Sequence, residues 1–422
     1  MAASALRAGA ARVEITPPAG AFPVTAADER PFVGVHDPLY VRALILDDGT
    51  TRLVIVSVEV TAVPAATEIE QMVAKAANVP AANVLISATH THSVPLVFFH
   101  GGMPTPEQAR EIDGIQNAAV SATEQAMQHL ALARIAFSRG QAYVNMNNGE
   151  VDGLAQGSDA TGPSDKSLDV IRVDGRDGKP LAVVVNYASH AEIMFRSVTR
   201  DGGYEVTGDL PGRTMQILEQ ALPDAPVVLY TPAAEADQIS LFRSVQVADT
   251  LPVADEGAAG WGLLDVQARR LSASVLDTLK GMSAGDATVR LAAATGEVTC
   301  EGERHRIDPT GRMISTPAAD VVIPLSVLRI GDIALAGVGG DLGSDIGRAI
   351  KASSPFKATT VVSMTAGAIG YILPDASYGH PGHGVAGSPL KAGCAERAIV
   401  GAITTMLAPS ASHSFPSSGV RP

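Results

Sequence analysis

Residues 41–60 read Val41-Arg-Ala-Leu-Ile-Leu-Asp-Asp-Gly-Thr-Thr-Arg-Leu-Val-Ile-Val-Ser-Val-Glu-Val60. Two apolar runs, Val41–Leu46 and Leu53–Val60, flank Asp47-Asp48-Gly49-Thr50, and this pattern predicts a β-hairpin. Downstream, Ile69, Met72, Val73 and Ala76 recur at three- and four-residue spacing and predict a helix around 64–77. Val84-Leu85-Ile86 then predicts a further strand. The same order returns twice. Leu168–Val173, the turn Asp174–Gly178 and Leu181–Val185 lead to a helix capped at Asp209, with Pro211 in its first turn, and on to Val227–Tyr230. Val327–Ile330, Gly331-Asp332 and Ile333–Val338 lead to a helix carrying Ile346 and Ile350, then to Thr359–Met364. Hairpin, helix and strand, three times over, predict an α/β fold of mixed β-sheets flanked by helices. Duplication and chance similarity of generic units explain the repetition equally well. Longer helical segments, roughly 106–132 and 258–280, join the units. A single large domain over residues 1–408 and a Ser/Pro-rich flexible tail over 409–422 complete the expected organisation.

Composition narrows the function. Apolar residues make up 46% of the 422, which supports a substantial core and excludes wholesale disorder. Lys and Arg total 31 against 44 Asp and Glu, and they are scattered, so no nucleic-acid partner is expected. No apolar run is long enough for a membrane span, and the N-terminus does not read as a signal peptide. Two cysteines, Cys300 and Cys394, exclude a disulfide framework and a Cys-rich zinc site. A soluble, acidic, cytoplasmic protein is expected.

In α/β sheets, sites form beyond the carboxyl ends of strands. There the chain carries Thr89-His90-Thr91-His92-Ser93 in the first unit and Asn186-Tyr187-Ala188-Ser189-His190 in the second. The third carries Gly339-Gly340-Asp341 and, after its last strand, Gly370-Tyr371. Imidazoles and a carboxylate together form the donor set of a catalytic divalent ion. A strand continued past Ile86 would project His90 and His92 from one face. His36 could approach this site or shape its own loop. His100 with Phe98-Phe99, and His380 with His383, suggest pocket wall and rim or ordinary loops. No Gly-x-Ser-x-Gly elbow surrounds Ser93 or Ser240, and Gly337-Val-Gly-Gly-Asp-Leu342 lacks the third glycine of a dinucleotide loop.

At these residues the chain resembles the N-terminal catalytic domain of the neutral/alkaline, non-lysosomal ceramidases. The resemblance extends over nearly the whole chain, from Ala11-Arg-Val-Glu-Ile-Thr-Pro-Pro18 through Gly34–Tyr40, Thr89–Ser93, Gly178–His190 and Gly208–Gly212 to Gly370-Tyr371. It implies a zinc amidohydrolase with one ion held by His90, His190, Asp341 and Tyr371, and with His92 beside it. Four departures stand out. Asp341 replaces a longer Glu, and Val94 replaces a Gly. The family's Asn-Arg pair appears here as Val144-Asn-Met-Asn-Asn148. A Gly-Asp segment reads Ala233-Ala-Glu-Ala-Asp237, which places an extra carboxylate near the site. The family's C-terminal immunoglobulin-like domain and secretion signal are also missing from this sequence. Ceramide is therefore expected to be a poor substrate, and a small soluble N-acyl substrate a better one.

The expected reaction is amide hydrolysis by metal-activated water. Tyr371 ligates the ion or donates to the developing oxyanion, His92 is general acid/base, and Asp237 or Glu235 orients His92. A metal-dependent esterase or lactonase, and a non-catalytic metal- or ligand-binding relative, are the alternatives. The sequence leaves the oligomeric state open.

Overall fold

Each of the three units folds as hairpin, helix and parallel strand in the computed structural model. It describes residues 5–25, 30–95, 104–151, 155–159, 162–248, 251–308, 310–379 and 382–408. The tail 409–422, Phe98, Phe99, His100 and His380 lie outside these. In chain order the elements that matter begin with β1 (Arg7–Glu14), β2 (Tyr40–Asp47), β3 (Arg52–Val58), α1 (Ala66–Ala77), β4 (Val84–Ala88), α2 (Pro106–Gln128) and β5 (Ala131–Gln141). The second unit follows as β6 (Ser167–Gly175), β7 (Pro180–Tyr187), α3 (Asp209–Ala221) and β8 (Val227–Pro232), before α4 (Gly260–Lys280). The remainder is β9 (Leu291–Ile307), β10 (Met313–Ile330), β11 (Ile333–Val338), β12 (Asp341–Leu342), α5 (Ser344–Ser353), β13 (Ala358–Val362), β14 (Tyr371–Ile372), α6 (His383–Ala386) and α7 (Ala395–Leu407).

Pairing repeats from unit to unit. The hairpins β2–β3, β6–β7 and β10–β11 are antiparallel, while β3–β4, β7–β8 and β11–β13 are parallel across their helices. Units one and two occupy the two ends of one eight-stranded sheet, in the order β8-β7-β6-β5-β1-β2-β3-β4. Unit three forms most of a second sheet, β9-β10-β11-β13.

The layers follow from alternation along the strands. Side chains facing one way, such as Leu44, Ile55, Leu85, Val184 and Leu229, pack against Leu328, Leu335 and Val362 between the sheets. On the outer face of the large sheet, Val54, Val56 and Ile86 meet α1 and α2, while Val183, Val185 and Val228 meet α3 and α4. Helices α5 and α7 cover the outer face of the second sheet through Ile346, Ile350, Ile399 and Ile403. Each large apolar side chain buried this way contributes about 1.5–3 kcal/mol. No helix among the described residues is long and apolar enough to cross a membrane.

Two expectations need correction. The first long helix stops at Gln128, and the residues after it alternate Ala133 and Ile135 inward and pair along β6 as strand β5. The two cysteines, too distant in sequence to signal pairing, are joined: Cys300 of β9 is bridged to Cys394 at the start of α7, with an S–S distance of 2.01 Å. A count of two excluded a framework of bridges but not one bridge. Such bridges persist mainly in oxidising surroundings.

A buried ion cluster ties β2 to its neighbours. Arg42, 1% exposed, pairs with Glu59 after β3 and places Nε 3.3 Å from Glu219 Oε1 of α3; Arg12 of β1 pairs with the same Glu219. Removing one member strands buried charge, so Arg42→Met is expected to lose about 3–5 kcal/mol in urea unfolding. A loss below about 1 kcal/mol would show that the cluster is relaxed by water.

Glu70 on α1 and Glu111 on α2 are both pushed up to about 7 by burial. Each therefore binds a proton on folding. Their contribution is greatest below the ordinary carboxylate range near 4.5 and is lost as pH rises through about 7. Replacing both by Gln should flatten the fall in melting temperature between pH 6 and 8, and an unchanged slope would contradict this.

Candidate active site

The candidate residues sit where three loop systems meet at the carboxyl ends of the strands. Strand β4 stops at Ala88, and His90 takes a left-handed backbone, φ 64°. The expected strand extension and its same-face projection therefore do not occur; a turn brings the two histidines together instead. Backbone and side-chain hydrogen bonds fix that turn. Thr61 Oγ1 donates to Thr91 O at 2.7 Å, Thr91 Oγ1 donates to Thr207 O at 2.9 Å, and His92 N donates to Ala191 O at 3.1 Å. His90 Nδ1 lies 2.7 Å from Thr61 O, so it carries the proton and leaves Nε2 as the available donor atom.

His190 follows β7 and is held in the same way, with Nδ1 3.0 Å from Glu235 O and 3.2 Å from Gln238 O. The loop behind it is anchored by Asp209, whose φ of 50° turns its carboxylate back to accept from Ile193 N at 3.1 Å and Met194 N at 2.8 Å. Asp tolerates that conformation better than a branched residue does. It is the first residue of α3 rather than its cap, which is Gly208.

Unit three supplies the remaining groups. Asp341 and Tyr371 lie opposite one another in the short parallel pair β12–β14, and Asp341 N donates to Gly370 O at 3.0 Å.

The donor atoms converge. His190 Nε2 lies 3.0 Å and His90 Nε2 3.7 Å from Asp341 Oδ2, and His92 Nε2 lies 3.2 Å from His90 Nε2. Donors that share an ion at about 2.0–2.2 Å stand about 3.3 Å apart in a tetrahedral arrangement. The liganding atoms of His90, His92 and His190 lie within 4.8 Å of one another, as do those of His90, Glu235 and Asp341. Asp341 Oδ1 and both Glu235 carboxylate oxygens are buried without a well-formed hydrogen bond among the described residues. These residues fit a divalent ion.

The electrostatics agree. Burial opposes charging of His190, yet Asp341, Glu192 and Glu235 together push it up to about 10; the centre calls for positive charge. Burial, reinforced by His190, lowers His90. Burial followed by Asp341 raises Tyr371 well above its ordinary value, so the phenol keeps its proton.

Other candidates fall elsewhere. Asp237 accepts from Ser344 N and Ser344 Oγ, both at 2.7 Å, and so holds the start of α5 rather than orienting His92. The carboxylate beside His92 is Glu192, with Oε1 3.5 Å from His92 Nδ1. Burial disfavours its charge, but His92, His190 and Arg243 outweigh that and hold it at about 2. Its Oε2 lies 3.2 Å from Arg243 Nη1. Sequence reasoning missed both Glu192 and Arg243. The His190-Ala-Glu192 spacing was the available signal for the first; nothing local marked the second.

His383 stands on the Tyr371 side, with ring centroids 5.8 Å apart. His36 stacks on Trp261 at 3.6 Å and bonds Asp37, which shapes its own loop. Val94 packs with Phe32, Leu39, Tyr204 and Val206. Ser240 is tied to Ser189 Oγ and His190 O, both at 3.2 Å.

Comparison with known proteins places this geometry. A search of curated proteins finds no sequence match. Among solved structures, a ceramidase complexed with C2 superimposes with a TM-score of 0.74 at 15% identity, over 98% of this chain and 77% of the other. Neutral ceramidase from Pseudomonas aeruginosa gives 0.73 at 16%, over the same shares. At such identities the likeness establishes the fold, over nearly the whole chain. The family model for neutral/alkaline non-lysosomal ceramidase, N-terminal, matches residues 7–256, more than half of the chain. With that match on top of the shared fold, the chain belongs to the neutral/alkaline non-lysosomal ceramidase family.

Proposed function

We propose that the protein is a zinc-dependent amidohydrolase acting on a small soluble N-acyl substrate. Family membership supports amide-bond hydrolysis. The observation that carries the metal reading is the convergence of His90 Nε2 and His190 Nε2 on Asp341 Oδ2, at 3.7 and 3.0 Å. His90, His190 and Asp341 would hold the ion, with Tyr371 at its edge. When bound, a divalent ion supplies Lewis-acid polarisation of the acyl carbonyl and acidifies water toward neutral pH.

The chain's own groups do the rest. Thr61 O and Glu235 O fix the histidine tautomers. His92, with its Nδ1 face toward Glu192, is positioned to take a proton at Nε2 and return it to the leaving nitrogen. Tyr371, protonated, donates to the oxyanion.

Two features favour a compact substrate over ceramide. The segment that replaces the Asn-Arg pair is used internally: Asn145 Nδ2 donates to Asp165 O and Ala188 O. Val94, 2% exposed, fills space against Leu39 and Tyr204. Comparing kcat/KM for long-chain ceramide with short N-acyl amino acids and aryl amides tests this. The short amides should be preferred, and a clear preference for ceramide overturns the substrate assignment. Turnover of esters alone would favour esterase or lactonase action on the same site.

A further inference from the structure

Glu235 is wholly buried, and neither of its carboxylate oxygens makes a well-formed hydrogen bond among the described residues, the Ser189 backbone N–H being the donor that faces it. Other buried carboxylates are served. Asp209 accepts from the backbone of Ile193, Met194 and Leu210; Asp237 accepts from Ser344; Glu219 meets Arg12, Arg42 and Val228 N. A buried carboxylate without well-formed hydrogen bonds persists in one of two ways, by taking a proton or by lying against a cation.

Position decides between them. The liganding atoms of His90, Glu235 and Asp341 lie within 4.8 Å of one another. The segment is also held for this purpose: Ala236 N donates to Leu342 O at 3.1 Å, beside Asp341, and Gln238 N closes a turn on Glu235 O at 2.7 Å. That same carbonyl accepts from His190 Nδ1. One residue therefore sets the tautomer of a histidine ligand with its backbone and directs its side chain toward the centre that this histidine faces.

Charge balance points the same way. Glu192 is compensated by Arg243 at 3.2 Å. With neutral histidines, Asp341 alone would leave a buried divalent ion with one uncompensated charge, whereas Asp341 and Glu235 together neutralise it.

We propose that Glu235 is a ligand of the ion, joining His90, His190 and Asp341 in a two-histidine, two-carboxylate centre. This rests on the metal-site reading above and adds to it. The second carboxylate makes the donor set harder, so Glu235 should matter more for Mn²⁺ than for Zn²⁺.

The test measures metal, not turnover. Full-length protein stripped with a chelator is reloaded with Zn²⁺, Mn²⁺ or Co²⁺, and affinities are read by competition with a chromophoric chelator. Glu235→Gln is the discriminating variant, because it mimics a protonated Glu in shape. Glu235→Asp withdraws the carboxylate by one methylene, and circular dichroism verifies the fold of both. Both variants should bind Zn²⁺ at least about 10-fold more weakly, since even outer-shell changes cost 10–100-fold. The loss should be larger for Mn²⁺, and the visible Co²⁺ bands should shift in position and intensity. Unchanged affinity and Co²⁺ spectrum in Glu235→Gln, with His90→Ala unable to bind, would overturn the proposal and leave the metal reading intact. Failure of the unaltered protein to bind a stoichiometric ion would overturn both.

Discussion

His190→Ala and His90→Ala should each purify folded but without the divalent ion, and with turnover reduced by at least about 10³-fold. The magnitude follows from losing Lewis-acid stabilisation worth several kcal/mol, at about 1.4 kcal/mol per factor of ten. Both histidines offer Nε2 to the centre because each Nδ1 is committed to a carbonyl, Thr61 O for His90 and Glu235 O for His190. His92→Ala is the comparison: it should retain the ion while turnover falls. Elemental analysis alongside single-turnover kinetics checks all three. Full metal occupancy in both His90→Ala and His190→Ala would show that the ion is bound elsewhere.

Tyr371→Phe should lower kcat by about 10²–10³-fold, the usual consequence of deleting an oxyanion donor, and leave KM little changed. The phenol lies opposite Asp341 in the β12–β14 pair, and its ring centroid is 6.1 Å from that of His190. Burial and the nearby carboxylate keep it protonated, so it can donate where negative charge develops. The charge it stabilises is absent from the ground state, which is why the effect falls on kcat. Near-normal kcat with weakened metal binding would instead make Tyr371 a ligand only. A variant normal in both respects would remove the third unit's phenol from the mechanism.

Much of the fold is legible in the chain because its signals are local. Asp47-Asp48-Gly49-Thr50 and Gly331-Asp332 mark hairpins, and the spacing of Ile69, Met72 and Val73 marks a helix, whatever surrounds them. The order of strands in the large sheet is not local and could not be read. Site residues at strand ends followed from topology, which is why His90, His190 and Asp341 came together. Asp237 was misassigned because its partner, Ser344, lies in another unit. Arg243 escaped notice because its partner, Glu192, lies 51 residues away, too far to leave a local signal. The bridge between Cys300 and Cys394 joins residues 94 apart, a separation that leaves no trace in spacing.

The centre draws one residue or more from every unit: His90 from the first, His190 from the second, Asp341 from the third. An ion held this way acts as an assembly checkpoint. None of the units alone presents the full donor set, so tight binding is confined to the chain with both sheets docked. Binding energy is then returned to the whole domain as RT ln(1 + [ion]/Kd), about 4 kcal/mol at a thousandfold excess over Kd. Metal retention thereby becomes a quantitative reporter of global folding. A core substitution far from the site, such as one at Leu335 between the sheets, should register as faster loss of the ion to a chelator even where the ligands themselves are untouched.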